Sequence, residues 1–217
     1  VNFVLLQDAF RFANWLDNGQ PIGLQDALTT EDGAYTLNGA VLPQDLSSVT
    51  RNAGATWWLP SIDEWYKAAY HMNDGVTGNY WVYPTSSDSP PDNSARPGGS
   101  NSANYWPTLG TVSDVGAFVD AASAYGTFDQ GGNVWEQNDS LSLGNVRTIR
   151  GGSWSSFDFY LASDFSSVFD PSNPGNDLAG IGFRVATVAV PEPTSLTLAA
   201  LGAMTAIGIA LRRRKRS

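Results

Sequence analysis

The chain has 217 residues, with 12 Lys and Arg against 21 Asp and Glu, one His and no Cys. Zero cysteine excludes a disulfide scaffold, a thiolate-held zinc or iron–sulfur centre and a cysteine nucleophile, while one histidine leaves any Ser–His–Asp triad resting on His71 alone. The net charge of −9 argues against nucleic acid as a partner, because a phosphate backbone calls for a basic surface.

Along the chain, residues 7–17 read as the first helix. Ala9, Phe12, Ala13 and Leu16 recur at three-to-four spacing, with Phe10 and Trp15 widening the apolar face, and Asn18-Gly19 followed by Pro21 stops it. Residues 22–56 are rich in Gly, Asn, Thr and Asp, and 31–42 could hold a hairpin around Asn38-Gly39. Ser61 and Glu64 then form a capping box that opens a second helix, with Ile62, Trp65, Ala69 and Tyr66 as its apolar face. His71 ends that helix, where a cation interacts well with the dipole, and is expected to cap it. Residues 74–106 are dense in turn formers, and 84–104 most of all. Three glycine-punctuated strand segments follow, around Trp135, Ile149 and Phe183.

The last 24 residues have a different character. Five of the 12 basic residues lie in 212–216, which leaves seven basic against 21 acidic residues over 1–211, a net of −14. Residues 194–211 carry no charge, and as a helix they would be ~27 Å long, close to the ~30 Å hydrocarbon thickness of a bilayer. The basic cluster beyond them is expected to stay cytoplasmic, with 1–193 facing outward. Pro191-Glu192-Pro193 precedes the span as a stiff, extended lead-in. The order Pro191-Glu192-Pro193, apolar span, then Arg212-Arg213-Arg214 resembles the PEP-CTERM sorting signal of Gram-negative bacteria. That resemblance implies recognition by an exosortase, a transient stay in the inner membrane and removal of the tail near Pro-Glu-Pro, with the cell surface or extracellular matrix as destination. The chain starts at Val1 without a basic-then-apolar leader, so upstream sequence is expected.

Four ordered motifs carry a second resemblance: Leu59-Pro60-Ser61 with Glu64-Trp65, Gly131-Gly132-Asn133-Val134-Trp135-Glu136, Arg150-Gly151-Gly152-Ser153-Trp154, and Gly182-Phe183-Arg184-Val185-Ala186. Together with Arg11-Phe12-Ala13-Asn14-Trp15-Leu16 they make residues 1–187 resemble the sulfatase-modifying-factor family, that of the formylglycine-generating enzymes. The resemblance implies an α+β fold related to C-type lectins, with two main helices, short twisted antiparallel strands and many loops. On this division 188–217 form the sorting tail. Family oxidases hold copper with two cysteines after the Gly-Gly-Ser motif, and those positions fall near Ser156 and Leu161. Serine and leucine form no thiolate pair, so copper is not expected. The iron-dependent sulfoxide synthases, a related subgroup, draw their metal-binding histidines mainly from an added helical domain, and with one His in this chain their chemistry is not expected.

The resemblance also implies Ca²⁺, with oxygens from Asp129 and Glu136 side chains and Gly132 and Val134 carbonyls; two carboxylates plus carbonyls suit that ion. A second family site would use Asn104 and the backbone near Tyr105, with its acidic partner's place falling at Pro107. Among the remaining candidates, Trp135 and Trp154 are expected in the core, Arg150 and Arg184 beside core-edge carboxylates, and Asp158, Asp164 and Asp170 in solvent. Trp81, Tyr83, Tyr105 and Trp106 are the aromatics that could form a carbohydrate surface. The favoured function is an exported, non-catalytic binding or structural module near exopolysaccharide. The alternative is an enzyme of the formylglycine-generating and sulfoxide-synthase superfamily with altered chemistry, using Ser156, Asp158 or Arg150.

Overall fold

A computed structural model describes residues 1–107, 109–142, 146–169 and 178–188. The chain divides after Thr187 into Val1–Thr187 and Val188–Ser217. The Pro191, Glu192, Pro193 signal, the apolar span 194–211 and Arg212, Arg213 and Arg214 lie outside the described residues. Among the described residues no helix is long and apolar enough to cross a membrane.

The first helix, α1 (Leu6–Asp17), buries Leu6, Ala9, Phe10 and Ala13 on one face. It stops at Asn18, and Gly19 turns the chain away at φ 78°. Its apolar face packs with Ala34, Tyr35, Leu37, Leu46, Val49 and Leu59 into the largest apolar cluster. Asn14, fully buried, serves the loop that covers this core: its amide donates to the Thr30 and Tyr35 carbonyls and its oxygen accepts from the Tyr35 N–H. The hairpin expected over 31–42 does not form. Asn38 and Gly39 take the left-handed turn, but Glu31 accepts from Arg11 at 2.6 Å and from the Gly39 N–H at 2.6 Å, so a side chain closes the loop where ladder bonds would have.

A short helix, α2 (Pro43–Leu46), and a two-residue strand, β1 (Trp57–Trp58), lead into α3 (Ile62–Tyr70). The capping box is present in both directions: the Glu64 N–H donates to Ser61 Oγ, and the Ser61 N–H to Glu64. Burial works to raise the Glu64 carboxyl, yet Arg51 and the Ser61 N–H bring it down to about 2. Trp65, Ala69 and Tyr70 are the buried residues of α3; Tyr70 replaces Ile62 in the expected face.

Four further strands build one sheet in the order β4-β3-β2-β5: β2 (Trp135–Leu141), β3 (Arg147–Arg150), β4 (Ser167–Phe169) and β5 (Ile181–Phe183). The β2–β3 and β3–β4 pairings are antiparallel, but β2 and β5 run parallel, Trp135 opposite Ile181. The expectation of antiparallel strands is corrected at that edge. Strands β3 and β4 lie between β2 and β5 in the chain, so the two are not joined by a hairpin, and parallel neighbours cannot be. The final strand, β6 (Ala186–Thr187), pairs with β1. Arg147 ties sheet to core by donating to the carbonyls of Leu46, Val49 and Asp139.

Candidate functional site

The glycine-rich loop before β2 threads between two other segments. Gly132 donates to the Gly151 carbonyl at 2.8 Å, Asn133 to the Asn104 carbonyl at 2.7 Å, and Trp154 to the Asn133 carbonyl at 3.0 Å. Gly132 has φ 77°, and a Cβ there would stand 2.2 Å from the Asn104 carbonyl oxygen. Only glycine allows this approach, which is why the second motif can meet the segment around Asn104; a Cβ on Gly151 (φ 95°) would likewise stand 2.6 Å from the Gln130 carbonyl oxygen.

Beyond this crossing, Ser156 and Leu161 are brought together. A Cβ on Gly152 would lie 2.8 Å from Leu161 and 3.3 Å from Ser156, so both side chains converge on that glycine. Leu161 is fully buried, at the end of a 3₁₀ turn (Asp158–Leu161), among Tyr83, Ala103, Tyr105 and Ala162. Ser156 lies on the wall of an open cavity of about 430 Å³, together with Trp135, Ser155, Phe157, Tyr160 and Ser167. Its hydroxyl accepts from the Ser153 N–H at 2.9 Å and shares a hydrogen bond with Ser153 Oγ at 3.2 Å, which in turn meets Ser155 Oγ at 3.1 Å. Among the described residues, none of these hydroxyls has a hydrogen bond to a carboxylate or an imidazole.

His71, the single imidazole, is held elsewhere. Its Nδ1 meets the Asn73 N–H at 3.0 Å and the Tyr125 hydroxyl at 3.0 Å, and its Nε2 faces the Val76 carbonyl at 3.0 Å. With Nδ1 accepting from Asn73, the proton sits on Nε2. The residue occupies the C-cap of α3 as expected, and its two ring nitrogens hold the turn that follows.

The residues proposed for Ca²⁺ lie close together, with a different partner for their charge. Glu136 is buried, and both of its oxygens accept from Arg184; the Trp65 indole N–H adds a further bond at 2.5 Å. Arg184 also donates to the Phe128 carbonyl at 3.0 Å, so one guanidinium joins β2 to the loop holding Asp129. Asp129 accepts from the Gly116 N–H at 2.6 Å. Burial pushes its carboxyl up, and the Glu136 charge adds to the rise against the Gly116 bond and Arg184. No group of three or more His, Asp or Glu side chains converges among the described residues. Of the set Asp129, Gly132, Val134 and Glu136, the Glu136 carboxylate is thus engaged by Arg184, while Asp129 has the Gly116 N–H as its hydrogen-bond partner. Asn104 differs. Its amide donates to the Thr111 carbonyl at 2.9 Å while its buried Oδ1 has no partner, yet no carboxylate joins it.

Other expectations change as well. Arg184 meets its carboxylate, but Arg150 finds none among the described residues: it donates to the Ser163 and Phe165 carbonyls and lies over the Tyr66 ring at 5.1 Å. Trp135 and Trp154 are half-buried rather than core. The aromatic carbohydrate surface is broken up, because Tyr83 and Tyr105 are interior while Trp106 is exposed. Two exposed aromatics sit beside the cavity instead: Phe157 and Phe159 stack at 6.1 Å with 17° between their planes. Sequence reasoning passed over Ser155, Phe157, Tyr160 and Ser167; the run Ser155-Ser156-Phe157 after the Gly-Gly-Ser motif was the available signal.

Residues 1–189 match the sulfatase-modifying factor enzyme 1-like domain, and 189–215 match the PEP-CTERM protein-sorting motif. Among solved structures, the chain is similar to that titled "Crystal Structure of CarF", at 25% identity and a TM-score of 0.55 over 87% of this chain and 66% of that one. It is also similar to Treponema denticola variable protein 1, at 21% identity and 0.53 over 87% of this chain and 70% of that one. The chain thus spans somewhat under two thirds of CarF. No curated protein matches it. The sorting motif makes it an exported protein, processed by an exosortase at the membrane and destined for the cell envelope of a Gram-negative bacterium. Over residues 1–189 the chain belongs to the family of sulfatase-modifying factor enzyme 1-like domains.

Proposed function

We propose that the exported domain is a non-catalytic module of the cell envelope that binds extracellular polysaccharide. The observation that carries this reading is the convergence of Ser156 and Leu161 on Gly152. The resemblance puts the oxidases' copper thiolates near these two positions, which here carry a hydroxyl and an isobutyl group. Neither binds Cu(I), and a chain without cysteine has no thiolate to bring from elsewhere. What remains is an open cavity edged by hydroxyls and aromatic rings, the chemistry by which proteins hold sugars. The sorting tail supports the location, since a domain carried to the envelope meets polysaccharide there.

The test has two arms. The full chain, supplied with copper and a cysteine-containing peptide, should leave the peptide's thiol unoxidised; turnover above a protein-free control would return the domain to the enzymes. Matrix polysaccharide from the producing cells, immobilised on a gel, should retard the chain. Unretarded migration would remove the binding role.

A further inference from the structure

We infer that the cavity beside Ser156 is a subsite for an uncharged pyranose unit of a polysaccharide. This rests on the binding-module reading above and adds the place and the ligand class.

The cavity, at about 430 Å³, falls in the size range of small-molecule sites. Its walls combine two chemistries. Trp135 meets Tyr160 edge-on at 5.6 Å, and Phe157 stands at the rim, 53% exposed, stacked on Phe159. Ring faces of this kind take the C–H face of a sugar and need no matching charge. Against them stands the cluster of Ser153, Ser155 and Ser156 hydroxyls, in mutual contact at 3.1 and 3.2 Å. Each hydroxyl offers one donor and two acceptor positions and rotates to suit, so the cluster can answer a sugar hydroxyl in either sense. Ser155 is exposed and within a ligand's reach.

The wall also decides charge. Among the described residues lining the cavity there is no Asp, Glu, Lys, Arg or His. A uronate, sulfate or amino sugar would leave its solvent there without a counter-charge, which is costly. The net of −14 over residues 1–211 further repels an acidic polymer at low ionic strength. Both effects disfavour an acidic ring, while a cationic amino sugar is disfavoured by the uncharged wall alone.

The test is calorimetric titration of the full chain in a non-glycosidic detergent. The probes are neutral gluco-, galacto- and manno-oligosaccharides, and an oligo-uronate of equal length. At least one neutral probe should bind and the uronate should not. Phe157→Ala should weaken binding about tenfold, through the lost stacking face, and Ser155→Ala about fivefold, through one hydrogen bond; Trp106→Ala should leave it unchanged. All three side chains are exposed, and a thermal melt checks that each variant is folded. Preferential uronate binding that depends on Phe157 would overturn the neutral class. Binding lost in Trp106→Ala but not in Phe157→Ala would overturn the place and keep the binding module. Absence of binding to every probe would overturn the inference, and only if the matrix polysaccharide also fails to retard the chain does the wider reading fall with it.

Discussion

Glu136 and Asp129 are two buried carboxylates with different fates. Glu136 is matched by a bidentate guanidinium and an indole N–H, and pairing of this quality offsets the cost of burying charge. Asp129 has one backbone donor and no side-chain cation in contact, so its carboxyl is pushed up, first by burial. For an acid, a raised folded value means that the folded chain holds the proton more tightly than the unfolded chain. The penalty is therefore absent below the unfolded value of about 3.9 and builds as pH rises through the folded value. Asp129→Asn keeps an acceptor for the Gly116 N–H and tolerates the residue's φ of 57°. It should raise Tm at pH 7 by about 2–4 °C for each kcal/mol relieved, with the gain vanishing below about pH 4. Added EDTA should move neither protein, because Arg184 already supplies the cation at Glu136. A melt that falls on chelation in the parent but not in the variant would restore calcium. The Arg184 partnership lay within reach of the sequence as a core-edge pairing; that the carboxylate would be Glu136 did not, because the two are 48 residues apart in the chain.

Helices here were legible where the local chain closes its own bonds. The box at Ser61 and Glu64 is written within four residues, and α3 starts there. Ser61→Ala removes the acceptor of the Glu64 N–H and should cost about 1 kcal/mol, seen as a Tm lower by about 2–4 °C; an unchanged melt would mean that packing of Trp65 alone holds the helix start. The consequence reaches the site, since Trp65 extends from α3 to donate to Glu136. Strand partners were not legible in the same way. The three sheet segments could be placed from their glycine punctuation, but the parallel pairing of β2 with β5 depends on where a long connection returns. The expected hairpin at 31–42 shows the converse: an Asn-Gly turn specifies a local bend, while the pairing of its flanks is decided by the Glu31 side chain and by Arg11 and Asn14 of α1.

At the scale of the whole molecule, charge separates along the chain, with an acidic body up to residue 211 and a basic terminus. Exosortase processing near Pro191, Glu192 and Pro193 would remove the five basic residues and leave the acidic body. Mature protein from the cell surface should therefore lack 212–216 by mass and focus at a lower pH than the full chain. Pro191→Ala, Glu192→Ala and Pro193→Ala together should block the change and hold the uncut chain at the membrane. A mature form that keeps its basic cluster would mean that sorting occurs without cleavage.

By itself, the sequence determined the family, the two main helices, the sorting tail and the lack of any cysteine thiolate. Each depends on which residues are present, or on bonds closed within a few positions. Tertiary structure alone decided the partner of Glu136, the interior placement of Tyr83 and Tyr105 and the existence of the Ser156 cavity. Those outcomes join residues tens of positions apart, and their energies come from burial and from hydrogen bonds that exist only once the segments around Gly132 and Gly152 have closed on one another.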